Sequence, residues 1–224
     1  QVGTHHCTRG KKEDATKLAF FQLGEQVGCQ HHRRASASRA AAVDILLFAV
    51  PSVFVRSTAA LAAEYIPDGQ IIVDVAKGIE PDTLLTMTEV IRDEMNRDGR
   101  HENVKLVALS GPTHAEEVAL DMPASIVSAC RELEVAETVQ DVFMNTCMRT
   151  YTNQDVLGVE LCGALKNIVA LAAGISAGLG YGDNAKAALI TRGMAEITRL
   201  GLAMGCSEQT FYGASSESKV KLMC

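Results

Sequence analysis

The chain has no Cys-x-x-Cys pair: its seven cysteines, at 7, 29, 130, 147, 162, 206 and 224, are odd in number and widely spaced. Neither a disulfide framework nor a zinc site is indicated, and a reducing, cytoplasmic setting fits best. No run of eighteen apolar residues occurs, so no membrane span is read from the sequence. Arg9, Lys11, Lys12, Glu13, Asp14 and Lys17 stand where an export signal needs an apolar stretch. Positive charge is not in excess either. The net charge of −6 argues against nucleic acid as a partner, because phosphate neutralisation needs a basic face. Also missing is a G-x-G-x-x-G turn ahead of the first apolar run; Gly24 and Gly28 have the wrong spacing for one.

What remains is ordinary globular material: 224 residues, 47% hydrophobic and 21% charged, enough for one large or two small domains. Its charge is uneven. Residues 1 to 43 hold seven Lys/Arg against three Asp/Glu, and the stretch QHHRRASASRAAA at 30 to 42 offers little to bury. Residues 1 to 42 therefore read as an atypical, poorly ordered segment. At Val43 the pattern changes to VDILLFAVP, a continuous apolar run of the kind found in strands covered on both faces. Similar runs follow at 70 to 76, 105 to 109 and 124 to 129, with helical patterns at 53 to 65, 82 to 95, 115 to 120 and 132 to 144 between and after them. This alternation predicts βαβ units with the four strands as parallel neighbours and their carboxyl ends along one sheet edge. A short strand at 149 to 151 closes it, and from 155 onward the chain reads as helix. The helix at 156 to 174 is apolar nearly all round, which predicts burial; Thr152 or Asn153 can cap it. The next, 184 to 204, is amphipathic, with Arg192, Glu196 and Arg199 as a solvated salt-bridge ladder.

Three places could carry chemistry. Lys77 follows the run IIVDVA and precedes Gly78, at the strand end where open parallel sheets bind ligands, although a Lys-Gly exit into a loop needs no ligand. SGPTHAEE at 110 to 117 follows the third strand and opens a helix, so it is either an anion-binding N-terminus or a plain capping box of Thr113 and Glu116. Lys166 lies in LCGALKNIVA, where an ammonium within an apolar helix needs a partner and desolvation lowers its pKa toward useful base strength. The bland reading is a snorkelling lysine or one paired with Glu160. Six residues turn a helix through about 240° in α geometry, so Glu160 and Lys166 occupy different faces.

The order LLFAVPS, VAKGIE, LSGPTHAEEVA and YTNQDVLGVELCGALKNIVALAAGISAGLGYGDNAKAALITRGMAEITRLG, over residues 43 to 213, resembles bacterial NAD(P)-dependent glycerol-3-phosphate dehydrogenase. The resemblance implies an α/β fold, an incomplete Rossmann-type parallel sheet followed by an all-helical C-terminal domain. Residues 43 to 152 then form a partial dinucleotide-binding domain and 153 to 224 a partial substrate domain. It implies interconversion of dihydroxyacetone phosphate and sn-glycerol 3-phosphate with NAD or NADP, for phospholipid synthesis; a homodimer is compatible with it, and no metal is implied. Lys166 and Lys77 match the catalytic lysines. Lys77, Gly111, Thr113, Lys166 and Asn167 match substrate contacts, and Lys77 and Ala115 match cofactor contacts. Two lysines at one carbonyl stabilise the alkoxide that develops there. The family's glycine-rich loop has no counterpart upstream, and after TFYG at 210 to 213 neither its substrate-binding Asp nor its Ser-Arg-Asn motif follows; Lys219 falls near the Asp position. Both ends read as a truncated or frame-shifted frame, and no measurable activity is expected of the chain by itself. Two other readings stand beside this one: a related dehydrogenase of a small hydroxy acid, and a non-catalytic phosphate-binding module.

Overall fold

A computed structural model describes residues 18–21, 43–97 and 99–212. The reading of 1 to 42 as an atypical segment otherwise lies outside those residues. The described residues contain a six-stranded sheet whose strands neighbour one another in chain order: β1 (Leu18–Phe21), β2 (Ile45–Phe48), β3 (Ile71–Asp74), β4 (Lys105–Ser110), β5 (Ala124–Ala129) and β6 (Met148–Asn153). β1 runs parallel to β2, with Leu18 opposite Ile45. β2 is therefore an interior strand.

Side-chain alternation explains why β2 is apolar throughout. Leu46 and Phe48 face one core with Ile72, beneath α1 (Val55–Ala62) and α2 (Met87–Asn96), while Ile45 and Leu47 face another with Val73 and Val107 beneath α4 (Leu133–Phe143). Successive residues of a strand point to opposite faces, so a strand buried on both must be apolar at every position. β2, β3 and β4 are parallel, as the sequence pattern predicts. β5 is a correction: it pairs antiparallel to β4, with Leu109 opposite Ser128, and parallel to β6. The β4–β5 link holds only α3 (Ala115–Ala119), five residues long. The chain re-enters the sheet from the edge where β4 ends.

Helix boundaries moved for local reasons. The segment expected to be helical from Asp82 starts at Met87, because Thr86 and Glu89 form a reciprocal capping box there. The box weighed as one alternative at Thr113 and Glu116 does not form: α3 follows His114 with no side-chain cap. α5 (Val156–Gly178) is capped by Asp155, whose carboxylate accepts the Gly158 N–H at 3.0 Å, rather than by Thr152 or Asn153. α5 then packs on α6 (Asp183–Ala203) and α7 (Glu208–Tyr212) through Leu161, Cys162, Ile197 and Phe211. The expected burial of α5 holds only for its first half. Val159 to Gly163 are buried, but Ile168 and Leu171 are 65% and 68% exposed, because among the described residues the covering helices reach one side of it. By length and composition α5 could cross a membrane, with mean hydropathy 1.7, and about a third of that apolar stretch is buried within the described residues. The Arg192–Glu196–Arg199 ladder is present and exposed.

Candidate active site

β3 and β4 lie side by side in parallel, so their carboxyl ends deliver Lys77 and Gly111 to the same sheet edge. α5 runs along β4 toward that edge. Gly163 meets the strand end so closely that a Cβ on it would stand 2.6 Å from Ser110 Oγ and 3.6 Å from Lys77 Cγ. Three residues on, on the same helix face, Lys166 donates from Nζ to the Gly111 carbonyl at 3.0 Å. The same carbonyl accepts the Thr113 N–H at 3.0 Å, which shapes the turn after β4. That turn admits no side chain at its first position: a Cβ on Gly111 would stand 2.4 Å from the Ser125 carbonyl oxygen and 2.8 Å from Ile126 Cα.

The two lysines feel one another. Burial lowers the pKa of Lys77, and the neighbouring Lys166 charge lowers it further. Among the described residues neither ammonium has a carboxylate partner. Two nearby cations without a counter-ion repel at short range, and an anion placed between them relieves that repulsion while satisfying their N–H donors.

The carboxyls nearby are occupied otherwise. Glu160, buried on α5, accepts from Thr88 N at 2.8 Å, Thr88 Oγ1 at 2.6 Å and Thr86 Oγ1 at 2.8 Å. Burial raises its pKa against these donors. Asp74, at the end of β3, is buried and pushed well above the usual carboxylate range by burial and then by Glu160, and its Oδ1 has no hydrogen-bond partner. The Glu160–Lys166 pairing weighed from sequence is thus absent. The loop leaving Lys77 is held on its far side by Arg56, which grips Glu80 through Nε at 2.7 Å and Nη2 at 2.6 Å and also reaches Glu94 and Asp93.

The fold brings Lys77, Gly111, Thr113 and Lys166 together. Asn167, one residue further round α5, is exposed, and its side chain has no hydrogen bond among the described residues. Ala115 opens α3 just beyond the turn. The sequence reading passed over Gly163 and Ser110, although a small residue one turn before Lys166 marks a close approach. It also passed over Thr86, although Thr86 and Glu89 carry the S/T-x-x-E spacing of a helix start. A cleft of about 390 Å³ lies away from the lysines, at the start of β4, between Thr88, Arg92, Lys105 and Arg131.

Known proteins are similar to this chain along both halves of its sequence. Residues 9–136 match the NAD-dependent glycerol-3-phosphate dehydrogenase N-terminus, and residues 155–223 match the C-terminus of the same family. A Lactobacillus delbrueckii subsp. bulgaricus relative, named glycerol-3-phosphate dehydrogenase [NAD(P)+] 2, is 74% identical over 170 residues, 76% of this chain and 50% of the relative. A Fusobacterium nucleatum relative named glycerol-3-phosphate dehydrogenase [NAD(P)+] is 44% identical over 213 residues, covering 95% of this chain and 62% of its own length. The chain thus spans about half the length of the first of these relatives. The solved glycerol-3-phosphate dehydrogenase of Coxiella burnetii superposes with a TM-score of 0.69 at 34% identity, over 77% of this chain and 51% of that one. That of Saccharomyces cerevisiae gives 0.70 at 27%, over 82% and 53%. By these matches along both halves of its sequence, the chain belongs to the NAD-dependent glycerol-3-phosphate dehydrogenase family.

Proposed function

We propose that this chain carries the substrate-binding lysine pair of an enzyme that interconverts dihydroxyacetone phosphate and sn-glycerol 3-phosphate. The observation that carries the reading is the pairing of Lys166, anchored on the Gly111 carbonyl, with Lys77, free of any carboxylate partner among the described residues. One ammonium can hold the phosphate or the reacting oxygen while the other donates a proton to that oxygen as its charge develops. Lys166 is the proton-transfer group and Lys77 the electrostatic one, with Gly111, Thr113 and Asn167 as further substrate contacts. The anion-binding role weighed for the α3 N-terminus has little support, since a five-residue helix carries a small dipole.

The residues present also suit a nicotinamide dinucleotide. Val53 and Phe54, at the exit of β2, are 79% and 47% exposed, and their neighbour Ser52 touches the Gly78 position beside Lys77. That apolar surface, Lys77 and Ala115 would hold NAD or NADP. When bound, the cofactor supplies or takes the hydride. The sequence has no G-x-G-x-x-G turn to bring N–H groups to a pyrophosphate, so substrate binding without measurable turnover is the expected behaviour of this chain. A homodimer belongs to the same reading and is checked by sedimentation equilibrium. So does a reducing, cytoplasmic setting, which the widely spaced cysteines without a Cys-x-x-Cys pair support.

The test is calorimetric titration of glycerol 3-phosphate into the chain, with glycerol as control and NADH or NADPH oxidation followed in parallel. Lys77→Met and Lys166→Met should each weaken phosphate binding by about tenfold or more, the worth of one charge-assisted contact. Equal binding of glycerol, or affinity unchanged in both variants, refutes the reading. Binding without turnover also fits the phosphate-binding alternative. Saturable oxidation abolished by Lys166→Met refutes the expected inactivity.

A further inference from the structure

Lys77 and Lys166 reach one another from separate elements, a loop after β3 and a long helix, so something must fix the rotation and height of that helix. The Lys166–Gly111 contact is a single bond at the end of a flexible side chain. A second anchor lies six residues earlier, on a different face of α5. There Glu160 turns away from the lysines and takes the backbone N–H of Thr88 and the hydroxyls of Thr86 and Thr88. These donors are tied to Lys77 through a closed loop. Ile79 bridges Thr86, Glu80 N–H donates to the Leu85 carbonyl at 2.9 Å, and Leu84 N–H donates to the Glu80 carbonyl at 2.8 Å. Arg56 holds the same loop from α1 through Glu80. Polar attachments on two different faces define the helix's rotation more closely than its packing on α6 and α7 with either one alone.

We propose that Glu160 is a positioning residue: by docking α5 on Thr86 and Thr88 it sets the rotation at which Lys166 meets Gly111 and Lys77. The functional weight of this rests on the reading that the two lysines form the substrate site, but the alignment itself does not. Glu160 touches no substrate position, and the cleft on its other side lacks both lysines. A carboxylate that served stability alone would leave the coupling between the lysines unchanged in any variant that still folds.

That coupling is measurable without substrate. The 224-residue chain is labelled with ¹³Cε-lysine, the Lys77 signal is assigned by its loss in Lys77→Arg, and its titration midpoint is read with and without Lys166→Met. In the wild-type background, removing the neighbouring charge should raise the Lys77 midpoint. In the Glu160→Ala background that rise should be lost, and in Glu160→Gln, which keeps an acceptor for Thr88 N–H, it should return. Should Glu160→Ala fail to fold by circular dichroism, Glu160→Asp, one carbon short of Thr88, replaces it with the same expected loss. An undiminished rise in the folded Ala or Asp variant overturns the proposal, as does no rise in the wild-type background. Failure to bind glycerol 3-phosphate refutes the functional reading instead, and leaves this coupling to decide the role of Glu160.

Discussion

Replacing Gly111 by Ala should destabilise the fold substantially, although it adds a single methyl group. The added Cβ would stand 2.4 Å from the Ser125 carbonyl oxygen and 2.8 Å from Ile126 Cα, where ordinary contact begins near 3.4 Å. Both obstacles are backbone atoms of β5, held in register with β4 and β6. No rotamer change can clear them, so β5 must retreat by roughly 1 Å or the turn must deform. Overpacking that forces such backbone shifts costs typically 1–3 kcal/mol, and with backbone on both sides the upper figure, about 3 kcal/mol, applies. At about 2–4 °C per kcal/mol for a domain of this size, the melting temperature should fall by about 6–12 °C. Gly174→Ala is the internal control. Gly174 lies within α5 with nothing within 4 Å of its Cβ position, so the same chemical change there should stabilise by about 0.5–1 kcal/mol through helix propensity. Differential scanning calorimetry of the two variants beside wild type is the assay. A Gly111→Ala chain melting within a degree of wild type, or above Gly174→Ala, would refute the close-approach reasoning.

Arg56→Ala should destabilise in a pH-dependent way. Arg56 and Thr83 hold Glu80 down to about 2 from an ordinary 4.5, so the carboxylate's contribution is present above pH 4.5 and is lost as the pH falls toward 2. Urea midpoints of wild type and variant should lie apart at pH 7 and converge below pH 3; a constant gap would count against it. Asp74 carries the opposite sign. Burial and Glu160 raise its pKa, so its contribution is greatest below the ordinary 3.8 and is lost as rising pH ionises it. Asp74→Asn should therefore gain stability relative to wild type as the pH is raised from 4 to 8, read as the difference in melting temperature across that range; a difference that shrinks would refute this. Any dinucleotide oxidation that the chain does support should fall by about 10²-fold in Lys166→Met, as loss of a proton-transfer group commonly produces, and unchanged stopped-flow rates would assign Lys166 a structural role.

Much of the architecture was legible because its causes are local. The run from Ile45 to Phe48 is apolar at every position, which only a strand covered on both faces requires, and it lies between two cores as that pattern demands. Lys166 stood out for a similar reason: an ammonium in an apolar helix must find a partner, and its partner is the Gly111 carbonyl. Strand direction was less legible. β5 has the same apolar character as β4, and its antiparallel direction is set by how the two strands pair, which no pattern within either run records. Tertiary structure also decided the partners of Glu160, which are 72 and 74 residues away in the chain and invisible to any periodicity. The same holds for the clamp of Arg56 on Glu80 and for the backbone of β5 pressed against Gly111. Periodicity records which face of an element is buried, because burial acts on each residue separately. What meets that face, and at what rotation, is set by contacts between segments far apart in the chain, and the distance between two lysines depends on all of them at once.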